Sequence, residues 1–296
     1  MSEDSKGRIV IVGGDAAGMS AASVARRIAP KLEIAVLEAG QHISFAACGM
    51  PLLFSGELEE PSRLVAVTPE AARSERRLDL RLGHRVRRID LQGRRVLGER
   101  VDGSEAFELG FDRLIIATGA RPLVPPVPGV DRPGVFALRH LDHGVALERY
   151  LRQERPGRAV VAGAGYVGLD LAEALRKRGL SVTLLARGDG PLLGLEPELS
   201  AMVEEALARA GAVLLRGAPL YDVRGGSARG AGVVGGGGGV GGSGGSAGGG
   251  AFGVGVGGGD PGRISGVHAG GEVLPAVLLV LALGVRPASG LGEQAG

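Results

Sequence analysis

Cys48 is the single cysteine of a 296-residue chain, and it stands in the run Ser44-Phe-Ala-Ala-Cys48-Gly-Met-Pro51. A lone thiol cannot close an intramolecular disulfide, so it is either a small buried hydrophobe or a redox or nucleophilic group. A helix beginning at this run would favour the thiolate through its N-terminal amides, and the thiolate is the form that attacks sulfur. Two glycine-rich turns accompany the cysteine. Gly163-Ala-Gly165-Tyr166-Val167-Gly168 fits G-x-G-x-x-G in full, whereas Gly13-Gly14-Asp15-Ala-Ala17-Gly18 carries Asp15 at the middle glycine. In such a turn the first glycine makes the bend and the second admits a pyrophosphate to the backbone. The third lets the helix pack on the strand, and the helix N-terminus faces the phosphates. The alternative is a strand-to-helix turn with no ligand.

The end of the next strand reports the ligand. Glu38 lies twenty residues beyond Gly18, where a carboxylate can hold an adenosine ribose, and the first turn with Glu38 reads as an FAD site. The corresponding stretch after the second turn reads Ala186-Arg187. A guanidinium in place of a carboxylate favours the 2′-phosphate of NADP over NAD, with a solvated loop charge as the alternative.

The elements that must position these groups repeat. Arg8 to Val12 and Arg158 to Ala162 are short β-branched runs that end in the two glycine turns. A helical pattern follows each, and then a second apolar strand, Glu33 to Glu38 or Ser181 to Leu185. Two βαβ openings about 150 residues apart predict an α/β protein with two nucleotide-binding domains of doubly wound type. Leu114 to Ala120 and Leu278 to Pro287 read as apolar strands, each meeting a Gly-x-x-Pro turn. The first of these turns carries Thr118 and Gly119, the second Gly284. Leu199 to Ala210 reads as an amphipathic helix with Leu199, Met202, Val203, Ala206, Leu207 and Ala210 on its apolar face. Residues 225–259 hold 21 glycines in 35 positions and read as a disordered loop inside the second domain.

Composition narrows the class. Thirty-four basic and 32 acidic side chains nearly balance, and aromatics make up 3 % of the chain, which argues against a nucleic-acid partner. The longest apolar run, Val277 to Val285, is too short to cross a bilayer, and the N-terminus has no signal-peptide core. A single cysteine fits a reducing cytoplasm. None of the five histidines has metal-ligand spacing with another ligand type, so no metal is expected.

The run SFAACGMP, with GGDAAGMSAA before it and LIIATGARP, GVFALRHLD and GAGYVGLDLAEAL after it, resembles the single-cysteine branch of the pyridine nucleotide-disulfide oxidoreductases. Within that branch it is most similar to coenzyme A-disulfide reductase and the related NADH oxidases. The resemblance implies two Rossmann-like, three-layer ββα domains of glutathione-reductase type. Residues 7–150, completed by about 278–296, would bind FAD, and residues 151–277 would bind NAD(P). By position, Gly13, Gly14, Ala17, Gly18, Glu38, Thr118, Gly119 and Gly284 would contact FAD. Gly163, Gly165, Tyr166, Val167, Gly168 and Arg187 would contact NADPH, with NADH the alternative.

Cys48 would be the redox thiol and form a mixed disulfide with CoA. Ser20, Arg27 and Ser44 fall where the family contacts the CoA moiety. The implied activity passes electrons from NAD(P)H through flavin to Cys48 and a small disulfide, CoA-disulfide being favoured. An NAD(P)H oxidase or peroxidase is one alternative, and a truncated, non-catalytic nucleotide-binding fragment is another. The family pattern continues past Gly296 into a second FAD segment and a C-terminal domain through which full-length relatives are expected to form homodimers.

Overall fold

The computed structural model describes residues 7–226 and 262–296. The glycine-rich stretch expected to form a disordered loop lies, from residue 227 onward, outside the described residues. In chain order the elements begin with β1 (Arg8–Val12), α1 (Ala16–Ile28), β2 (Glu33–Glu38), α2 (Met50–Ser55), α3 (Pro69–Ser74), β3 (Asp79–Leu82), β4 (His84–Asp90), β5 (Arg95–Arg100) and β6 (Ala106–Gly110). There follow β7 (Arg113–Ile116), β8 (Ala120–Pro122), β9 (Val135–Ala137), α4 (Leu141–Glu154), β10 (Arg158–Ala162), α5 (Tyr166–Lys177), β11 (Ser181–Leu185), α6 (Pro197–Arg209) and β12 (Val213–Leu215). The chain closes with β13 (Leu220–Gly225), β14 (Ile264–Ala269), β15 (Glu272–Pro275), β16 (Leu278–Leu281), β17 (Val285–Pro287) and α7 (Gly290–Ala295).

Two compact units emerge. The first takes in the described residues up to Leu123, with Leu138–Arg149 and Gly284–Gly296; the second takes in Val124–Ala137 and the described part of Tyr150–Leu283.

In the first unit the parallel sheet runs β3-β2-β1-β7. Alternation along β1 and β2 gives it two apolar faces, as a sheet covered on both sides requires. Ile11, Ile34 and Val36 pack with Met19 and Ala22 of α1. Val10, Val12, Ala35 and Leu37 face Val86, Ile89, Val96 and Leu109 of the antiparallel sheet β4-β5-β6. Helix, parallel sheet and antiparallel sheet thus form the expected three layers.

The second unit repeats the plan. Its sheet runs β12-β11-β10-β16-β9, and Val160, Ala162, Leu185, Leu279 and Leu281 pack on Val223, Ile264, Val267 and Ala269 of the sheet β13-β14-β15. The boundary falls differently from the expectation. Residues from about 278 were expected to complete the first domain, but Leu278–Leu281 is an interior strand of the second sheet, parallel to β10 on one side and β9 on the other. Leu278, Leu279 and Val280 are wholly buried there, each contributing roughly 1.5–3 kcal/mol of apolar burial. β9 likewise joins the second sheet although it precedes residue 150. Only from Gly284 does the chain return to the first unit, where β17 pairs antiparallel with β8.

The apolar face expected on α6 is not a buried one. Leu207 is buried, while Leu199 and Met202 are 49 % and 63 % exposed. The helix meets the sheet beside β12, an edge strand of only three residues, which cannot cover a longer face.

Candidate functional site

The two glycine turns are built alike. Gly13 donates its N–H to the Leu37 carbonyl at 2.9 Å, and Gly163 donates to Leu185 at 3.0 Å. Both first glycines have positive φ, 109° and 111°, and a Cβ on either would overlap a carbonyl oxygen, that of Ala117 or Ala282. Those two alanines are themselves matched, since Ala117 donates to Val12 and Ala282 to Ala162, each at 2.8 Å. A Cβ on Gly18 would collide with the Gly13 carbonyl oxygen, and one on Gly168 with that of Gly163. The third glycine is therefore fixed by the approach of the helix to its strand, as the motif requires.

Around the first turn the residues converge. Glu38 ends β2 with Oε2 accepting the Gly14 N–H and Oε1 accepting the Gly40 N–H, both at 2.7 Å. A carboxylate has about four lone-pair sites, so capacity remains for ribose hydroxyls. Thr118 Oγ1 donates to the Ala288 carbonyl at 2.8 Å, and Gly119 accepts the Ala288 N–H at 2.9 Å, pinning the strand-end turn to the returning chain. Gly284 accepts the Leu123 N–H at 2.9 Å in the matching turn. Ala17 is exposed at the start of α1.

The cysteine turn is anchored to the same loop. Ser44 donates its N–H to the Gly14 carbonyl at 3.1 Å and accepts the Ala66 N–H at 2.7 Å. It is held at φ 44°, a left-handed conformation uncommon outside glycine that persists where surrounding bonds over-determine it. Phe45 bridges Val65, and Ala46 donates to Leu64 at 2.8 Å. Cys48 follows in a single 3₁₀ turn, Ala47–Gly49, and is exposed; the helix after it, α2, is six residues long. The thiol is thus presented to solvent rather than packed as a small hydrophobe. Ser20 and Arg27 lie on the exposed face of α1, two turns apart, and among the described residues no hydrogen bond ties either to Ser44 or Glu38.

In the second unit a Cβ on Gly165 would meet nothing within 4 Å, leaving the backbone open where a phosphate approaches. Tyr166 and Val167 begin α5 exposed, at 76 % and 57 %. Register places Leu185 opposite Ala162 as Leu37 is opposite Val12, so Ala186 stands where Glu38 stands in the first unit. Ala186 is buried, and Arg187 beside it is exposed.

Arg139 is a residue that the sequence did not single out. It lies between β9 and α4, with Nη1 3.7 Å from Asp15 Oδ2, beside the first glycine turn. It was visible only as part of GVFALRHLD, and its partner is 124 residues away.

The histidines occupy structural settings. His84 packs on Phe107 and its Nδ1 lies 2.7 Å from the Leu82 carbonyl. His268 pairs with Asp222 at 2.9 Å and His42 with Asp142 at 2.8 Å. His140 and His143 stack edge to face at 5.5 Å. Burial pushes the His143 imidazole below its ordinary value, and His140 adds to this. Among the described residues there is no group of three or more His, Cys, Asp or Glu side chains able to hold a metal, and no helix long and apolar enough to cross a membrane.

Two matched βαβ turns, one closed by a carboxylate and carrying an exposed thiol on a loop fastened to it, define a protein of the two-dinucleotide-fold class. The chain belongs to the pyridine nucleotide-disulphide oxidoreductase family, which it matches over residues 7–296. It is 36 % identical over 208 residues to the NAD(P)H coenzyme A polysulfide/persulfide reductase of Pyrococcus horikoshii, covering 70 % of this chain and 46 % of that one. It is 27 % identical over 290 residues to an NADH oxidase of Methanocaldococcus jannaschii, covering 98 % of this chain and 57 % of the relative. The crystal structure of reduced Bacillus anthracis CoADR-RHD matches with a TM-score of 0.83 at 27 % identity, over 100 % of this chain and 47 % of that one. The chain therefore spans about half the length of the curated relatives it matches.

Proposed function

We propose that the chain carries the nucleotide-binding half of an FAD-dependent, NAD(P)H-using disulfide reductase, with Cys48 as its redox thiol and CoA-disulfide as the favoured substrate. The observation that carries this reading is the hydrogen bond from Ser44 to Gly14, which fastens the loop bearing an exposed Cys48 to the dinucleotide turn closed by Glu38. Family membership and a relative named for coenzyme A persulfide chemistry support it.

The residues present fit FAD in the first unit. Gly13, Gly14, Ala17 and Gly18 form the phosphate turn, Glu38 keeps acceptor capacity for the ribose, and Thr118, Gly119 and Gly284 shape the loops beside it. Bound FAD would supply the two-electron relay between NAD(P)H and sulfur. Gly163, Gly165, Tyr166, Val167 and Gly168 form the second turn. Ala186 removes the carboxylate that would select NAD, and exposed Arg187 offers the 2′-phosphate of NADP a counter-charge.

At the thiol, Cys48 attacks one sulfur of the small disulfide. A mixed disulfide forms as the old S–S bond breaks, and one thiol leaves with its electron pair and takes up a proton. Ser20, Arg27 and Ser44 hold the CoA portion. The single thiol fits a reducing, cytoplasmic setting. A second reading, NAD(P)H oxidase, is favoured by the NADH oxidase relative that aligns with nearly the whole chain; Cys48 would then cycle through sulfenic acid.

Product assays on the purified, FAD-supplemented chain test this. NADPH-dependent release of free CoA from CoA-disulfide, lost in Cys48→Ser, is the expected result. Oxygen uptake without CoA release would favour the oxidase, and NADPH consumption in neither assay would contradict both.

A further inference from the structure

We propose that the cavity at the amino edge of the first parallel sheet binds a phosphate monoester, held by Arg77 and Lys31 beside Arg26. The site lies at the far end of the strands from the glycine turn and is independent of the FAD reading.

Arg8, Glu33 and Asp79 begin β1, β2 and β3, and with Arg26, Lys31 and Arg77 they line a cavity of about 590 Å³. Gly13 and Glu38 stand at the other ends of β1 and β2. Ser20, Arg27 and Ser44 do not line the cavity, so it is separate from the positions proposed for the CoA portion. Both of its acidic side chains are already engaged. Glu33 Oε2 pairs with Arg8 at 2.8 Å, and Asp79 accepts Arg81 Nε through both carboxylate oxygens at 3.1 Å. Among the described residues no ion pair engages Arg26, Lys31 or Arg77.

The two arginines converge with no carboxylate between them. Arg26 Nη1 donates to the Pro30 carbonyl at 2.8 Å, and Arg77 Nη2 reaches the same oxygen at 3.4 Å. Arg26 also donates to the carbonyls of Leu32, Arg76 and Arg77, which fixes its guanidinium between the end of α1 and the start of β2. Burial, and then the neighbouring Arg77, hold that guanidinium below its ordinary value. Arg77 itself is held at φ 50°, a left-handed conformation that costs a non-glycine residue energy and recurs where ligands are clamped. Like charges this close repel, and an anion set between them replaces the repulsion with attraction. A guanidinium fork matches phosphate oxygens, and the Lys31 ammonium adds a point charge. Leu32, Ile34 and Ala35 give the cavity an apolar wall, and its volume is that of a small-molecule site rather than of phosphate alone. Cations beside an apolar wall select a phosphate carried on a compact apolar group.

The test follows the backbone amide signals of the full, isotope-labelled chain during titration with phenyl phosphate, and separately with inorganic phosphate. Saturable shifts of the Lys31, Leu32 and Glu33 amides are expected, with phenyl phosphate binding about tenfold tighter than inorganic phosphate. Arg77→Gln and Lys31→Gln are each expected to weaken that binding by about tenfold. Both side chains are exposed, so the melting temperature should stay close to the parent's. Arg26 is left in place because it ties α1 to β2. Shifts confined to Gly14 and Gly165 would give the phosphate to the glycine turns and overturn the proposal. So would Lys31 to Glu33 shifts that survive both substitutions undiminished, inorganic phosphate binding as tightly as phenyl phosphate, or no shift with either probe.

Discussion

Glu38 Oε2 accepts the Gly14 backbone N–H at 2.7 Å, so the carboxylate ending β2 is fastened to the turn that opens α1. The second oxygen accepts from Gly40 at the same distance, fixing the rotamer from both sides. Glu38→Gln keeps one acceptor and turns an –NH₂ toward an N–H donor. Hydrogen bonds to a charged group contribute roughly 1.5–3 kcal/mol, so FAD affinity is expected to fall by about tenfold to a hundredfold. Equilibrium fluorescence titration reads this directly.

Gly168→Ala would drive a Cβ into the Gly163 carbonyl oxygen, and the Ala282 Cβ stands 3.5 Å away on the other side. The helix must move off its strand, at a cost of roughly 1–3 kcal/mol. Urea unfolding should show the loss, and NADPH binding should weaken more than FAD binding because α5 belongs to the second unit.

Arg187→Ala should lower the preference for NADPH over NADH by about tenfold while changing NADH affinity little, since among the described residues no ion pair engages the guanidinium and the 2′-phosphate would supply its counter-charge. Separate titrations with the two nucleotides give the ratio. An unchanged ratio would make Arg187 a solvated loop charge.

His143 supplies a pH dependence. Burial and His140 depress its folded value, with Asp142 opposing, so the unfolded chain takes up a proton at His143 more readily than the folded one. The associated stability is fully present above the unfolded value of about 6.5 and is lost as pH falls through that value toward the folded one. The melting temperature of the parent should fall between about pH 7.5 and pH 5.5, and His143→Leu should flatten that part of the profile.

Much of the fold was legible because its rules are local. Strand period and the third-glycine contact locate both βαβ openings from a few residues each, and Glu38 is found by counting to the next strand end. The domain boundary was not legible, because Leu278–Leu281 looks the same as a strand in either sheet and only pairing with β10 and β9 assigns it. The α6 stripe misled for a related reason: periodicity marks an apolar face but not whether a three-residue edge strand can cover it. Around the site, Cys48 and the glycines carry recognisable spacing. Arg139 does not, since its meeting with Asp15 joins residues far apart in sequence. The left-handed backbone of Ser44 has no signature in a serine and comes from bonds to Gly14 and Ala66.

Electron transfer from NAD(P)H to Cys48 would run through flavin bound at the first turn. Anaerobic addition of NADPH to the FAD-loaded chain, followed by CoA-disulfide, tests it most directly in the visible spectrum. NADPH is expected to bleach the flavin band, and CoA-disulfide to restore it in the parent but not in Cys48→Ser. A band that NADPH leaves untouched, or one that CoA-disulfide restores equally fast in Cys48→Ser, would contradict it.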